Sequence, residues 1–294
     1  MTLFELLTQG TRQLELAGSP DAGNDAKILL MEAFELDMTH FLLNRLQVLS
    51  EDEETENKKK RYLDWISRRA QRIPLQQILG SQEFMGLEFF VNEHVLIPRQ
   101  DTETLVELVL EREKDKEQRV LDLCSGSGCI GISLAVLGGY SYVAEADLSE
   151  EALKVTKRNA EAIAPSANIE CFHGDLFGAI PEGLEGFDIL VSNPPYIPTE
   201  VIVGLEPEVR DHEPMMALDG TADGLFFYRR IAKEAGKILA PGGRIYLEIG
   251  YDQGEQVSGL LREQGFVQVE VHRDLAGKDR VVSGKMPFNS DIIK

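Results

Sequence analysis

Phe187-Asp188-Ile189-Leu190-Val191-Ser192-Asn193-Pro194-Pro195-Tyr196 is the stretch whose reading decides the fold. Its first six residues form an apolar run of strand length with one interruption, which reads as a buried strand. Two consecutive prolines offer no N–H to a sheet ladder, so the strand ends there and leaves Asn193 at its carboxyl edge. In an open α/β sheet, that edge is where ligands bind.

Working outward, helix and strand patterns alternate from residue 104 onward. Helices are expected over 104–114, 129–137, 150–162, 224–239 and 253–264. Strands are expected over 119–123, 140–146, 168–172, 187–192, 244–249, 266–271 and 280–284. Such alternation implies an α/β fold with a mostly parallel, doubly wound sheet over 101–294. Residues 74–100 differ: Phe84, Leu87, Phe89, Phe90 and Val91 with Gly80 and Gly86 suggest a β-hairpin linker. It leads to Ile97-Pro98-Arg99 and a helix for which Asp101 or Thr102 is the candidate cap. Arg99 either lines the site or pairs with a carboxylate.

Residues 1–73 read as a small all-α bundle. Leu3, Leu7, Thr11 and Leu14 mark one helix face, Asn24 or Asp25 can cap a second helix, and Thr39 can open a short third. Ser50-Glu51-Asp52-Glu53 fits a capping box, and the helix it opens carries Tyr62, Trp65, Ile66 and Arg69 and ends before Pro74. Its charges run from acidic to basic, which suits the helix dipole, so Lys58-Lys59-Lys60-Arg61 reads as part of a solvated face. The bundle has no catalytic signature. It either recognises a partner or only packs.

Composition sets the limits. The chain has 294 residues, 43% of them hydrophobic and 27% charged, which suits an ordinary globular protein with room for two domains. A formal net charge of -20 weighs against a protein that lives on nucleic-acid phosphates. Cys124, Cys129 and Cys171 are odd in number and share no cluster with histidine, so they read as small hydrophobes in a reducing cytoplasm, and no metal site is expected. Met1–Gly10 has no basic residue to mark a signal peptide, and no apolar run approaches the ~20 residues of a membrane span.

Three constellations carry chemistry. The first strand runs into Asp122-Leu123-Cys124-Ser125-Gly126-Ser127-Gly128-Cys129-Ile130-Gly131, a glycine-rich strand-to-helix turn. Alone it is weak, since it serves the pyrophosphate of a dinucleotide equally well. Strand two ends in Asp147, placed to accept ribose hydroxyls, with Glu145 as a backup of the same parity. Ser149 is free to cap the helix that follows. After strand three, Asp175 is a candidate reader of an adenine amino group, or simply a turn former.

The third constellation is the tetrapeptide. Asn193-Pro194-Pro195-Tyr196 resembles the active-site motif of methyltransferases that act on a planar amino nitrogen, either a side-chain amide or an exocyclic base amine. A nicotinamide enzyme explains the first two constellations only. S-adenosyl-L-methionine, leaving as S-adenosyl-L-homocysteine, suits all three. Asp122 would then lie near the methionine tail as a candidate for its ammonium, or serve as a structural strand-end acid. An amide nitrogen is a poor nucleophile because its lone pair is delocalised. The Asn193 side-chain oxygen and the Pro194 carbonyl can each accept one hydrogen of the target NH₂, bonds that strengthen as charge develops in the transition state. Tyr196 can stack on the planar target.

With these residues in hand, almost the whole chain resembles the release-factor glutamine methyltransferase family, also called PrmC or HemK. The matching pieces include Arg72-Ile73-Pro74-Leu75-Gln76-Gln77-Ile78-Leu79-Gly80, Ile97-Pro98-Arg99, Asp101-Thr102-Glu103, the glycine-rich turn, Asp147 and Asn193-Pro194-Pro195-Tyr196-Ile197. Glu213-Pro214, Ala217-Leu218 and Asp223-Gly224-Leu225 complete the set. The resemblance implies a helical amino-terminal domain, a hairpin and a seven-stranded Rossmann-like methyltransferase domain. It also implies methylation of the glutamine side-chain amide in the Gly-Gly-Gln loop of peptide chain release factors, hence a role in translation termination. By that resemblance Asp122, Cys124, Ser125, Gly126, Ser127, Gly128, Asp147, Asp175, Leu176 and Asn193 hold the donor. Asn193, Pro194, Pro195, Tyr196, Arg99 and Glu213 face the substrate. Gln100 stands where the family usually has proline, Cys124 where it usually has glycine, and Leu176 where some members have tryptophan. The loop over 197–225, with Glu206, Glu208, Arg210, Asp211, Glu213 and Pro214, is expected to wall the glutamine pocket. Direct nucleic-acid binding is not expected. The rival reading is a nucleic-acid adenine-amino methyltransferase, and a non-catalytic donor-binding protein is the alternative from another class.

Overall fold

Helix α1 (Leu3–Leu16) opens with a reciprocal cap, in which Thr2 accepts from the Glu5 N–H and Glu5 reaches back to the Thr2 N–H. It buries Leu3, Leu6, Gly10 and Leu14, so the line runs through Leu6 and Gly10 rather than Leu7 and Thr11. Tyr62 sets that line, because a Cβ at Gly10 would lie 2.0 Å from its hydroxyl oxygen. Helices α2 (Ala22–Phe34), α3 (Met38–Asn44), α4 (Glu53–Ala70) and α5 (Leu75–Leu79) follow. Asp21, not Asn24 or Asp25, precedes α2, which places Asp25 inside the helix and buried. Asp37 and Asp52 cap α3 and α4 through the N–H groups of His40 and Thr55. An aspartate reaches the N3 amide from one position before the first turn, so each of these outcompetes the candidates at Thr39 and Ser50. Lys58 and Lys59 pair with Glu54 and Glu56 of the same helix, as a solvated charged face does.

The structure, a computed structural model, describes residues 1–288. It packs as two units. The first is Met1–Gly80 together with Glu206–His212, and the second is Ser81–Leu205 with the chain from Glu213 onward. Within the first unit, Arg69 bonds Asp25 and Glu208, each at 2.7 Å, and Arg72 Nε donates to Glu208 at 2.7 Å. Gln77 donates to the His212 carbonyl. The middle of the loop after the tetrapeptide is therefore part of this unit. Glu206, Glu208, Arg210 and Asp211, expected to wall the glutamine pocket, belong to this unit instead.

The second unit begins with strands β1 (Ser81–Phe84) and β2 (Leu87–Phe90), joined by Met85-Gly86 at φ 53° and 73°, the left-handed pair of a tight hairpin turn. Helix α6 (Gln100–Arg112) starts after an extended Arg99, so Asp101 and Thr102 lie in its first turn instead of capping it. Then come β3 (Arg119–Leu123), α7 (Cys129–Ser133), β4 (Tyr142–Asp147), α8 (Glu150–Ile163), β5 (Ile169–His173) and β6 (Phe187–Ser192). The helix expected through residue 137 widens after α7 into a π-type turn over Leu134–Gly138. The loop after β6 carries three one-turn helices, α9 (Thr199–Ile202), α10 (Pro207–Arg210) and α11 (Met215–Leu218). The chain continues through α12 (Phe226–Ile238), β7 (Leu239–Glu248), α13 (Gly254–Glu263), β8 (Val267–Arg273) and β9 (Asp279–Lys285).

Strand order in the seven-stranded sheet is β5-β4-β3-β6-β7-β9-β8, parallel from β5 to β7 and antiparallel at β9 and β8. Alternate residues feed two cores. Leu121, Leu123 and Leu190 face α12 and α13, whereas Val120, Ile189 and Val191 face α6 and α7; Phe187 joins the first core because the register shifts between it and Ile189. Each fully buried side chain of this size contributes about 1.5–3 kcal/mol relative to leaving it exposed. The chain leaves β3 toward β4 on one side and reaches β6 on the other. Their carboxyl ends thus form the switch point at which α/β sheets bind ligands.

Candidate active site

A cavity of ≈ 480 Å³ opens at this switch point, inside the usual range for a small-molecule site. Its floor is the turn after β3. Cys124, Gly126 and Gly128 take φ of 60°, 57° and 78°, the left-handed region that glycine enters without strain. Cys124 does so at some cost, which is the physical reason that glycine suits that position. Two side chains of α8 hold the turn from behind: Thr156 donates to the Gly126 carbonyl and Asn159 to the Ser127 carbonyl, both at 2.9 Å. Ser125, Gly126 and Ser127 line the cavity, and a Cβ at Gly126 would meet nothing within 4 Å, so a ligand can approach the main chain there.

Asp147 ends β4 on the cavity wall. Its oxygens accept from the Gly126 N–H at 2.9 Å and the Ser149 N–H at 2.8 Å. Each oxygen keeps a lone pair for a ligand hydroxyl. Burial pushes its pKa up, against the pull of those N–H groups. Ser149 caps α8 through the Ala152 N–H, leaving Asp147 clear of that task. Asp175 and Leu176 also line the cavity, but Arg230 of α12 holds the Asp175 carboxylate at 2.9 and 3.0 Å. An adenine reader at Asp175 would share that carboxylate with Arg230.

Asp122 does not reach the cavity. It is fully buried beneath the turn, accepts from the Gly131 N–H at 3.0 Å and stands beside Glu145 of the neighbouring strand. Burial pushes both carboxyls upward. A Cβ at Gly131 would lie 2.2 Å from Glu145 Oε1, so the glycine makes room for a buried acid. The ammonium role expected of Asp122, and the ribose role held in reserve for Glu145, both fail for want of access.

Asn193 and Pro195 form the opposite wall, with Pro194 buried between them. The Asn193 Nδ2 points to Thr102 Oγ1 at 3.5 Å, which turns Oδ1 away from α6. Tyr196 is not on the wall. Its ring packs into the core over α12 and its hydroxyl lies 3.4 Å from Glu248 Oε1, so it supports the tetrapeptide and does not serve as the expected stacking platform. Arg99 lines the cavity with 43% of its side chain exposed and bonds both oxygens of the fully buried Glu213, at 2.8 and 2.7 Å. Glu213 therefore orients Arg99 and has no open face of its own. Pro214, Met215, Met216, Ala217 and Asp219 complete the wall, so only the end of the long loop reaches the site.

Glu248 and Gln253 did not stand out in the sequence, and Thr102 did so only as a candidate helix cap and as part of Asp101-Thr102-Glu103. Glu248 had one signal, a lone acid closing the apolar run Ile245-Tyr246-Leu247 at a strand end. Among the described residues no helix is long and apolar enough to cross a membrane, and no group of His, Cys, Asp or Glu could hold a metal ion.

A glycine-turn cavity at the switch point, faced by an Asn-Pro-Pro wall, defines a methyltransferase of the Rossmann-like class. Comparison with known proteins agrees. Residues 5–80 match the family model of the PrmC N-terminal domain, and residues 100–202 that of the methyltransferase small domain. The release factor glutamine methyltransferase of Clostridium acetobutylicum is 43% identical over 259 residues, 88% of this chain and 89% of that protein. That of Caulobacter vibrioides is 39% identical over 293 residues, 99% of each. A methyltransferase crystal structure from Pyrococcus furiosus shares the fold at 16% identity, with a TM-score of 0.54 over 76% of this chain and 99% of that one. The chain belongs to the release factor glutamine methyltransferase family.

Proposed function

We propose that this enzyme transfers a methyl group from S-adenosyl-L-methionine to the side-chain amide nitrogen of the glutamine in the Gly-Gly-Gln loop of peptide chain release factors. The observation that carries the reading is the orientation of Asn193. Its Nδ2 is engaged by Thr102, and its acceptor oxygen is left for the cavity that the glycine turn and Asp147 share.

The residues present fit the donor. Asp147 offers two acceptor oxygens to a ribose, the open main chain at Gly126 admits a close ligand, and Leu176 gives an apolar surface for a purine. When bound, the donor supplies an electrophilic methyl on a sulfonium. Everything else falls to the protein. Asn193 Oδ1 and the Pro194 carbonyl, on the peptide that leads into Pro195, each accept one hydrogen of the target amide. That fixes the nitrogen in the line of attack and localises its lone pair. The nitrogen would gain the methyl carbon as the methyl–sulfur bond breaks and leaves its electron pair on the sulfur of S-adenosyl-L-homocysteine, and one proton would leave to water, so no strong base is needed. Arg99, held by Glu213, stands at the rim to meet the substrate's main chain or charge.

The experiment is methyl transfer from labelled donor to a purified release factor, with the methylated peptide mapped by mass spectrometry. The reading predicts one methyl on the loop glutamine and none when that glutamine is alanine. Label on an adenine-containing oligonucleotide, with none on the factor, would replace it with the rival reading.

A further inference from the structure

Glu248 closes β7 beside the tetrapeptide and has no part in the chemistry above. It is 2% exposed. Its Oε1 lies 3.4 Å from the Tyr196 hydroxyl. The Thr102 side chain adjoins the same carboxyl and draws its pKa down, with no hydrogen bond of ordinary length between them, since Oε2 has no partner. Thr102 in turn lies 3.5 Å from Asn193 Nδ2. The two hydrogen bonds, at 3.4 and 3.5 Å, are long ones.

We propose that Glu248 is the positioning residue of the methyl-transfer site, fixing through Thr102 which end of the Asn193 amide faces the cavity and holding Tyr196 at the far end of the tetrapeptide. The inference rests on the reading of Asn193 as the amide clamp. Its logic is donor and acceptor counting. An ionised carboxylate only accepts, so any hydrogen bond that it forms with the hydroxyl of Tyr196 or Thr102 is one that the hydroxyl donates. Thr102 Oγ1 is then left as an acceptor, and only the Nδ2 end of Asn193 can bond it. The Asn193 oxygen has to turn outward, where a target amide needs an acceptor. Without Glu248 the Thr102 hydrogen is free to point at Asn193, and the amide can bond Thr102 by either end.

Gln253 supports the same segment from the main-chain side. Its Nε2 donates to the Tyr196 carbonyl at 3.1 Å, while its Oε1 accepts from the Gly250 N–H at 2.9 Å. The charged and titratable groups around Glu248 are Asp101 of α6, Cys129 of α7, Arg280 of β9, Tyr196, and Tyr228 of α12, whose hydroxyl donates to the Glu248 carbonyl. Arg280 is shared with Asp101 and Asp274. Burial pushes the Glu248 carboxyl up to about 7, with Thr102, Arg280 and Tyr196 opposing and Asp101 assisting. Protonation gives the carboxyl a hydrogen to donate, and the one-way order of the chain is lost.

The test compares Glu248→Ala, Glu248→Gln, Thr102→Val and Thr102→Ser with the wild type in the full chain. Turnover on a release factor, donor affinity by calorimetry, thermal midpoint and the Asn193 side-chain NH₂ resonances are the readouts. Glu248→Ala and Thr102→Val are expected to lower kcat by about 10²-fold, the scale of a misplaced reacting group, with donor affinity unchanged. Glu248→Gln and Thr102→Ser recover part of that loss, and Glu248→Gln abolishes the acid limb of the kcat profile near pH 7. The Asn193 NH₂ pair, identified by its absence in Asn193→Ala, is expected to be sharp in the wild type and broadened in Glu248→Ala. Unchanged kcat in Glu248→Ala, or a fall in kcat matched by donor affinity and thermal midpoint, would overturn the proposal. If the wild type leaves every release factor unmodified, the functional reading fails. The NH₂ resonances then still decide the positioning: no change in Glu248→Ala contradicts it.

Discussion

In the first unit, buried Arg69 bonds Asp25 and Glu208, and Arg72 adds a second guanidinium to Glu208. Beneath the donor turn of the second unit, Asp122 and Glu145 are equally buried, yet neither makes an ion pair among the described residues, and both Glu145 oxygens lack a hydrogen-bond partner. Glu248, on β7 two strands from Asp122, has the Tyr196 hydroxyl at 3.4 Å and the pull of an arginine that Asp101 and Asp274 share. One unit neutralises its buried charge with ion pairs, whereas in the other burial pushes the pKa of the acids upward. The contrast separates two uses of buried polarity. Paired charges fix where a loop lies, whereas unpaired acids next to a ligand cavity raise the cost of folding and cluster where function needs perturbed groups.

Removing a partner is expected to have the largest effect. Arg69→Met leaves Asp25 and Glu208 without their shared cation and should destabilise the protein by about 3–5 kcal/mol in urea denaturation. A loss under about 1 kcal/mol would place the cluster with ordinary surface pairs and dissolve the contrast.

In the second unit the sign reverses. Glu145→Gln gives Asp122 an N–H donor and removes a buried acid, so it should stabilise by about 1–3 kcal/mol at about pH 8. The folded pKa of Glu145 is raised above its unfolded value, so the native state keeps a proton that the unfolded chain gives up. Stability linked to this group is complete below about pH 4.3 and is lost as pH rises toward the folded value, so the gain from glutamine should vanish in acid. Glu208 behaves oppositely. Burial pushes it up, but Arg72 and Arg69 outweigh that and draw it down to about 2. Its contribution is complete above about pH 4.3 and is lost as pH falls toward the folded value. Hydrogen exchange followed by peptide should show the first unit loosening in acid and the second toward alkaline pH. Parallel profiles in both units would contradict this account.

The smallest effect sharpens the comparison at a neutral position. Gln100 is the first residue of α6, and Arg99 before it is extended at φ -105° and ψ 146°, the backbone that precedes proline. Gln100→Pro should raise stability by about 0.4–1 kcal/mol, read as a higher urea midpoint. A lower midpoint would mean that the Gln100 N–H has a use in the native state.

Local chemistry decided what was legible in the sequence. The alternating apolar runs gave all seven strands of the main sheet and the break at Pro194-Pro195 because period and proline act within a few residues. The donor turn was legible for the same reason. Cap positions slipped at α2, α3, α4 and α6, where several Asp, Ser or Thr compete within one turn and only the folded backbone selects among them. Asp122 was misread because strand spacing says that a residue sits near a site and not whether its side chain is roofed by the next glycine turn. Tyr196 was misread because a support lying 52 residues away in sequence, Glu248, takes its hydroxyl. The loop over 197–225 looked like one wall. It divides because Arg69 and Arg72 capture Glu208, which no local pattern reveals.

The central claim is that Asn193 clamps the target amide while the donor is held elsewhere in the cavity. The most direct measurement is single-turnover methyl transfer to a release factor by Asn193→Ala, beside its donor affinity by calorimetry. Transfer is expected to fall by at least about 10²-fold with donor affinity intact, the loss typical of a missing transition-state acceptor or donor. Transfer at the wild-type rate, or a loss explained wholly by failed donor binding, would contradict the account.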